Sequence, residues 1–268
     1  MADAMVFQPH RFRTAARHYL AGRPPYAPRL IQLVARLTGL TGEVRVLDLG
    51  CGPGMLAGAF APLVREVIAI DPEPEMLRIA QAEFGDAGNI RFMRGSSFDL
   101  PADLGRFRMA TMGRSFHWMD RAATLRRLDT MIEPDGAVVL FDSEHLDLPE
   151  NPWGSEYRSL VRRYSDDDEA HARRRGGTWV RHEAFLLDSA FSVLDQVSVI
   201  ERRSITVEQL VDRAFSRSST APDRLGDVAP RLAAEIEALL QPLATNGTLT
   251  EVVATSALLA KRPEGEDR

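Results

Sequence analysis

The sequence predicts an α/β fold built on a parallel, doubly wound sheet. Three observations predict it. Short β-branched runs alternate with amphipathic stretches of helical length from Val44 to Asp142, the rhythm of repeated strand–helix–strand units. The first run, VRVLDLG (residues 44–50), passes directly into glycines at alternate positions, Gly50, Gly52 and Gly54. The second, EVIAIDP (66–72), ends on an acid, Asp71. Polar and glycine residues thus gather beyond the carboxyl ends of the strands, where such sheets bind ligands.

The elements follow in order. RFRTAARHYLAG (11–22) is amphipathic and ends at Gly22. RPPYAPRLIQLVARLTGL (23–40) restarts after Pro24 and Pro25, with Leu30, Leu33, Val34 and Leu37 on one helical face. GMLAGAFAPLV (54–64) is the helix after strand one. PEPEMLRIAQAEFG (72–85), opened by proline and acids and closed by Gly85, follows strand two. NIRFMRG (89–95) is strand three and RFRMATMGR (106–114) strand four. DRAATLRRLDTMI (120–132) is a helix, EPDG (133–136) a turn and AVVLFD (137–142) strand five. Residues 143–190 then mix aromatics and charges without a clear strand, and are expected to be a helical insertion over one end of the sheet. Residues 191–262 rejoin the core: FSVLDQVSVIERRSIT (191–206) as strand six, then helices at 206–219 and 229–244. LTEVVATSALLAKR (249–262) fits either a strand or a helix. A single domain over residues 1–268 accommodates all of this.

Composition narrows the class. The 268 residues are 44% hydrophobic and 26% charged, with a formal net charge of −5, so no global basic surface points to nucleic acid. No apolar run approaches the ~20 residues that span a bilayer, and MADAMVFQPHRFR (1–13) lacks the apolar core of a secretory signal. One cysteine, Cys51, excludes an intramolecular disulfide and a multi-cysteine zinc site. A cytoplasmic protein without membrane or nucleic-acid partner, and without a metal, is expected; its oligomeric state is open. The acidic run at 166–169 and the arginine run at 173–175 read as solvated faces.

The glycines discriminate between ligands. A dinucleotide fingerprint is G-x-G-x-x-G, but here Met55 stands where the third glycine belongs. A P-loop needs Gly-Lys-Ser or Gly-Lys-Thr, and neither occurs. Asp48, in the approach to the bend, repels a pyrophosphate and suits an ammonium. Asp71 is placed to accept both hydroxyls of a ribose. A nucleoside with a cationic amino-acid arm fits better than a dinucleotide.

VLDLGCGPG (46–54) followed by VIAIDPEPEML (67–77) resembles motifs one and two of the class I S-adenosylmethionine-dependent methyltransferases, of the small-molecule, type 11-like kind. The likeness runs from about Tyr19 to Asp142. It implies a Rossmann-like fold, a doubly wound, mostly parallel sheet of seven strands. In it residues 1–40 are lid helices, 44–142 the cofactor-binding core, 143–190 a helical cap after strand five and 191–262 the rest of the core. It implies S-adenosylmethionine as cofactor and S-adenosylhomocysteine as product. Gly50, Gly52 and Gly54 would pass under the methionine and ribose, Asp71 would hold the ribose, and Pro72 and Met76 would flank the adenine. Ser96 stands where the family usually carries an acid, with Ser97 or the Phe98 amide assisting. Tyr19 and Arg23 would close over the cofactor, Arg23 pairing with its carboxylate. Asp48, Cys51, Gly113 and Arg114 complete the set, Cys51 as packing beneath the bend rather than as a nucleophile.

GRSFHWMDR (113–121) follows strand four, from which this fold addresses its acceptor. His117 is the first candidate base, His145 the second, and Asp142 is placed to orient either. Because sulfonium is a good leaving group, holding acceptor and methyl in line can supply much of the acceleration. Phe116, Trp118, Trp153, Tyr157 and Trp179 are candidate walls. The function expected is methyl transfer to the oxygen or nitrogen of a small molecule, such as a secondary metabolite or quinone-like acceptor. The alternatives are an RNA or protein methyltransferase, which the acidic balance disfavours, and a protein that binds the cofactor without transferring methyl.

Overall fold

The structure, a computed structural model, describes residues 10–165 and 179–264; the runs at 166–169 and 173–175 lie outside the described residues. Seven strands form one sheet: β1 (Arg45–Leu49), β2 (Glu66–Asp71), β3 (Ile90–Arg94), β4 (Phe107–Gly113), β5 (Ile132–His145), β6 (Val193–Thr206) and β7 (Thr248–Lys261). Their order is β3-β2-β1-β4-β5-β7-β6. β1 to β5 run parallel, and β7 lies antiparallel to both β5 and β6. The order reverses between β1 and β4, which makes their carboxyl ends the switch point where open α/β sheets take ligands. The helices are α1 (Tyr19–Gly22), α2 (Pro28–Leu37), α3 (Met55–Phe60), α4 (Pro74–Phe84), α5 (Arg121–Asp129), α6 (Gly154–Tyr164), α7 (His182–Leu187), α8 (Val207–Phe215), α9 (Pro222–Leu225) and α10 (Ala229–Leu240). No helix among the described residues is long and apolar enough to cross a membrane.

Both faces of the sheet are covered, which is why its strands read as continuous apolar runs. Val46, Val67, Met109 and Val139 pack with α2 and α3, while Leu47, Ile68, Ala110 and Val138 pack with α5 and α7. A third cluster joins Trp153, Tyr157 and Leu160 of the α6 region to Leu210 of α8 and Leu232 and Ile236 of α10.

Three expectations are corrected. Strand five does not end at Asp142: Ser143, Glu144 and His145 continue it because Thr255, Ala254 and Val253 of β7 pair with them. The expected turn at 133–136 is instead a bulge at the start of the same strand. There Phe107 faces Ile132 but Met109 faces Ala137, and Arg108 holds the extra residues by ion pairs to Glu133, at 2.9 Å, and Asp135. The stretch 11–22 is not one helix but a turn, a 3₁₀ segment (Ala16–His18) and the short α1. Gly22 ends α1 for a tertiary reason, since a Cβ there would fall on the Arg213 backbone. Its hydrogen lets α1 press against α8.

Candidate active site

The bend after β1 needs its glycines for three different reasons. All three have positive φ: +68° at Gly50, +54° at Gly52 and +83° at Gly54, a region that L side chains adopt at a cost. A Cβ on Gly50 would lie 2.7 Å from the Cβ and 2.8 Å from the Oγ of Ser115. A Cβ on Gly54 would press on Phe84, Ala80 and Phe92 at 3.1–3.3 Å. These two glycines serve the chain's own packing. Gly52 alone faces open space, its nearest neighbour being the Met76 sulfur at 3.9 Å. It is the point where a ligand can meet bare backbone.

Two buried carboxylates fix this bend. Asp48 Oδ2 accepts from Ala57 N at 3.1 Å and Oδ1 from the Thr111 hydroxyl at 3.1 Å, clamping the start of α3 to β4. Burial pushes its carboxyl up to about 7, against the opposing pull of those two hydrogen bonds. Asp71 Oδ2 accepts from Gly52 N at 2.8 Å and Oδ1 from Glu73 N at 2.9 Å, so it sets the backbone on which the open glycine sits. Burial raises it to about 6, again opposed by its backbone bonds. Glu73, one of the acids expected to open this helix, is buried and caps α4 by accepting from Glu75 N at 3.1 Å. Cys51 is buried, and burial, then Asp71 and Asp48, push its thiol well above its ordinary range. A thiol so held is no nucleophile.

At the next strand end, Ser96 does not offer a free hydroxyl. Its Oγ and its N both donate to Asp99 Oδ1 at 2.6 Å, and Phe98 N donates to Ser96 Oγ at 3.2 Å. The carboxylate of this turn is that of Asp99, held by Ser96 three positions before it. Ser97 is half-buried and Phe98 exposed beside it, while Met76 is buried against the bend and Pro72 half-buried.

Beyond β4 and β5 a cavity of about 810 Å³ opens. Phe116, His117 and Trp118 line it from the segment after β4, Asp142, Ser143 and Glu144 from β5, and Trp179 and His182 from the α7 region. Ser256 and Leu258 contribute from β7. The His117 ring stacks on His182, 6.4 Å between centroids at 22°, and tilts against Trp118 at 4.6 Å. The space directly over the glycine bend is smaller, about 20 Å³, and is bounded by Asp48, Gly50, Cys51, Gly52, Tyr26 and Gly113. Tyr19 and Arg114 line both spaces and form the partition between them. Arg114 is one of two non-glycine residues with positive φ among those described, +56°, and its guanidinium lies 4.8 Å from the Tyr26 ring centroid.

Several expected residues are not brought here. His145 faces away from the cavity into a buried ion cluster: its Nε2 meets Glu251 Oε1 at 2.5 Å and also Arg213, and its ring stands edge-on to Trp153 at 5.6 Å. Asp142 orients neither histidine; its Oδ1 accepts from Ser143 N at 2.8 Å. Trp153 Nε1 donates to Thr250 O and the Tyr157 hydroxyl to Leu210 O, so both rings are core rather than wall. Arg23 lines the large cavity and not the space over the bend. His182, Arg217 and Gln196 line the cavity without having been singled out in the sequence. They arrive from segments far apart in the chain and carry no local motif.

The residue set suits a nucleoside with an amino-acid arm. Gly52 leaves backbone open, the Asp71 carboxylate stands beside it, and the buried Arg114 Nε at the partition lacks a hydrogen-bond partner. A family model described as "Methyltransferase domain" matches residues 46–136. An uncharacterized methyltransferase of Bacillus subtilis, YcgJ, is 31% identical over 137 residues, which are 50% of this chain and 53% of that protein. A demethylmenaquinone methyltransferase of Lactococcus lactis is 32% identical over 121 residues, 42% of this chain and 47% of its own length. The chain thus spans about half the length of the curated relatives it matches. Among solved structures, a methyltransferase of Geobacter sulfurreducens in complex with S-adenosylhomocysteine superposes with a TM-score of 0.51 at 16% identity, covering 98% of this chain and 100% of that one. The matched residues 46–136 contain the glycine bend and its acid, so this part of the chain is similar to a methyltransferase domain, and the solved structures share its fold.

Proposed function

We propose that this protein methylates a small molecule at oxygen or nitrogen, with the large cavity as the acceptor site. The observation that carries the reading is the partition. Tyr19 and Arg114 border both the space over the glycine bend and a cavity of about 810 Å³, a size that encloses a small molecule rather than a folded macromolecule. When bound, the cofactor supplies a methyl group on a sulfonium, a good leaving group. Gly52 gives it bare backbone, Asp71 accepts the ribose hydroxyls, and Met76 and Pro72 stand at the adenine side with the Ser96–Asp99 turn. Asp48 supports the bend from beneath, through Ala57 N and the Thr111 hydroxyl. Arg114, rather than Arg23, is the guanidinium placed to pair with the amino-acid carboxylate, because it alone of the two reaches the bend.

On the acceptor side, Phe116, Trp118 and Trp179 exclude water and hold the acceptor in line. His117 is the group that takes a proton from an acceptor hydroxyl, and His182 stacks behind it. The test is incubation of the protein with labelled S-adenosylmethionine and a cell extract. Label is expected in small molecules; label only in RNA or protein would overturn the reading. Once an acceptor is in hand, His117→Ala is expected to lower kcat by ~10²–10⁴-fold. A loss below tenfold would leave catalysis to positioning alone.

A further inference from the structure

The cavity walls carry more positive charge than the walls themselves satisfy. Arg23, Arg114 and Arg217 all line it, and the Nε of each is buried without a hydrogen-bond partner. The Ser218 hydroxyl, on the same wall, is buried and unpartnered as well. The arginines crowd together: Arg23 and Arg114 lie over one ring, 5.2 and 5.8 Å from the Tyr19 centroid. Arg23 Nη2 donates to Ser216 O at 3.1 Å, one residue from Arg217. Burial, and then the like charges of Arg114, Arg217 and Arg213, push the Arg23 guanidinium down to about 10, with Tyr19 opposing. Asp142 and Glu144 share the cavity, but no ion pair joins either to these three arginines among the described residues. Glu183 is committed to Arg181.

The neighbouring Arg213 shows how this chain treats a buried guanidinium that has only a structural task. Its Nε donates to Gly22 O at 2.8 Å and its Nη1 to Glu251 Oε1 at 2.5 Å. Arg23, Arg114 and Arg217 have no such carboxylate. Arg114 reaches the Ser143 hydroxyl at 3.3 Å and Pro24 O at 3.5 Å, and Arg23 reaches Ser216 O. This is costly, because charge away from water is tolerated when paired. Among the described residues no carboxylate forms an ion pair with Arg23 or Arg217, so an anion entering the cavity would find both unneutralised. With Arg114 assigned to the cofactor's carboxylate, Arg23, Arg217 and Ser218 remain.

We propose that the methyl acceptor is an organic anion whose carboxylate or phosphate is anchored by Arg217 and Arg23, with Ser218 as a further donor. Guanidinium forks match both groups bidentately, and Phe116, Trp118, Trp179 and Leu258 give an apolar body its seat. The inference rests on the large cavity being the acceptor site, so its test keeps cofactor and acceptor apart.

Calorimetry on the protein saturated with S-adenosylhomocysteine would compare benzoate with benzamide, cinnamate with cinnamamide, and succinate with succinamide. At least one acid is expected to bind ten times or more tighter than its amide, and Arg217→Gln is expected to erase that preference. The variant's affinity for S-adenosylhomocysteine should stay within about twofold of the wild type. A phenyl phosphate arm identifies the anion: tighter binding than benzoate assigns phosphate, weaker binding assigns carboxylate. Arg217→Gln should also melt no lower than wild type without ligand, since it removes an uncompensated charge, whereas a structural arginine would lower the melting point. No preference in any pair, or a preference that survives Arg217→Gln, overturns the assignment. Failure of S-adenosylhomocysteine to bind at all would instead strike the cofactor site.

Discussion

Asp71→Ala is expected to raise the dissociation constant for S-adenosylhomocysteine at least about a hundredfold. In the proposed binding mode two ribose hydroxyls donate to this carboxylate, at about 1.5–3 kcal/mol each, and the variant would lose both. It also releases Gly52 N and Glu73 N, which the carboxylate now holds at 2.8 and 2.9 Å, so the open glycine loses its fixed position. The fold itself should survive, because Asp71 is a buried acid whose charge is penalised by its surroundings. The same residue makes binding acid-sensitive. Its carboxyl is raised to about 6, so below that pH it takes up a proton and ceases to be a double acceptor. Affinity should be flat above about pH 7 and fall by up to ~10-fold per pH unit below 6. For the free fold the sign is opposite: a carboxyl raised above its unfolded value binds protons better in the native state, so stability declines as pH rises through the window between 3.8 and about 6. Calorimetric titration of wild type and variant from pH 5 to 8 reads both effects. An affinity that Asp71→Ala leaves unchanged would remove this residue from the site.

The second large effect is on stability. Glu251 is fully buried on β7 and receives Arg213, Arg203 and His145 at 2.5 Å each. Burial alone would raise its carboxyl, but the hydrogen bonds from His145 and Arg213 hold it well below its ordinary 4.5. Glu251→Ala leaves Arg213, itself only 3% exposed, without its counter-charge. Breaking a buried pair in this way costs about 3–5 kcal/mol, which for a chain of this size lowers Tm by roughly 6–20 °C. The pH signature follows from the depressed carboxyl. The wild type's extra stability is present above about 4.5 and lost as pH falls, so the gap between wild type and variant should narrow in acid. Differential scanning calorimetry at pH 7 and pH 4 measures it; a Tm within about 2 °C of wild type at pH 7 would show the cluster to be dispensable.

Much of this molecule was legible in its sequence because the signals are local. β1 to β4 and the helices between them follow from apolar runs, proline starts and glycine stops, and the G-x-G-x-G bend with its acid announced the cofactor's class. What was illegible depended on partners distant in the chain. β7 lies between β5 and β6 with one face buried and the other only partly so. Ala254 and Leu258 make the less buried face apolar too, so the sequence shows no clean alternation, and its alanines and leucines suit a helix equally. That same strand carries β5 past Asp142 to His145 and draws His145 into the Glu251 cluster. Ser96 was read as an acid's substitute because motif spacing was counted along the chain, whereas the loop folds Asp99 back onto it. His182 and Arg217 sit in no motif; only the tertiary fold makes them neighbours of His117 and Arg23.

The position of β7 also bears on how the molecule comes into being. It is the last of the seven described strands in sequence, yet it is wedged between β5 and β6 and is the sole neighbour of β6 among them. During synthesis at ~5–20 residues per second, the first five strands can assemble as their helices appear, while β6 emerges with no ladder to join and β5 with one side bare. Both are exposed edges of the kind that invite association with other chains. Closure comes when Thr248–Lys261 threads between them, delivering Glu251 to its arginines and Ser256 and Leu258 to the cavity wall. The wall of the large cavity is thus closed later than the glycine bend, which the first five strands already shape.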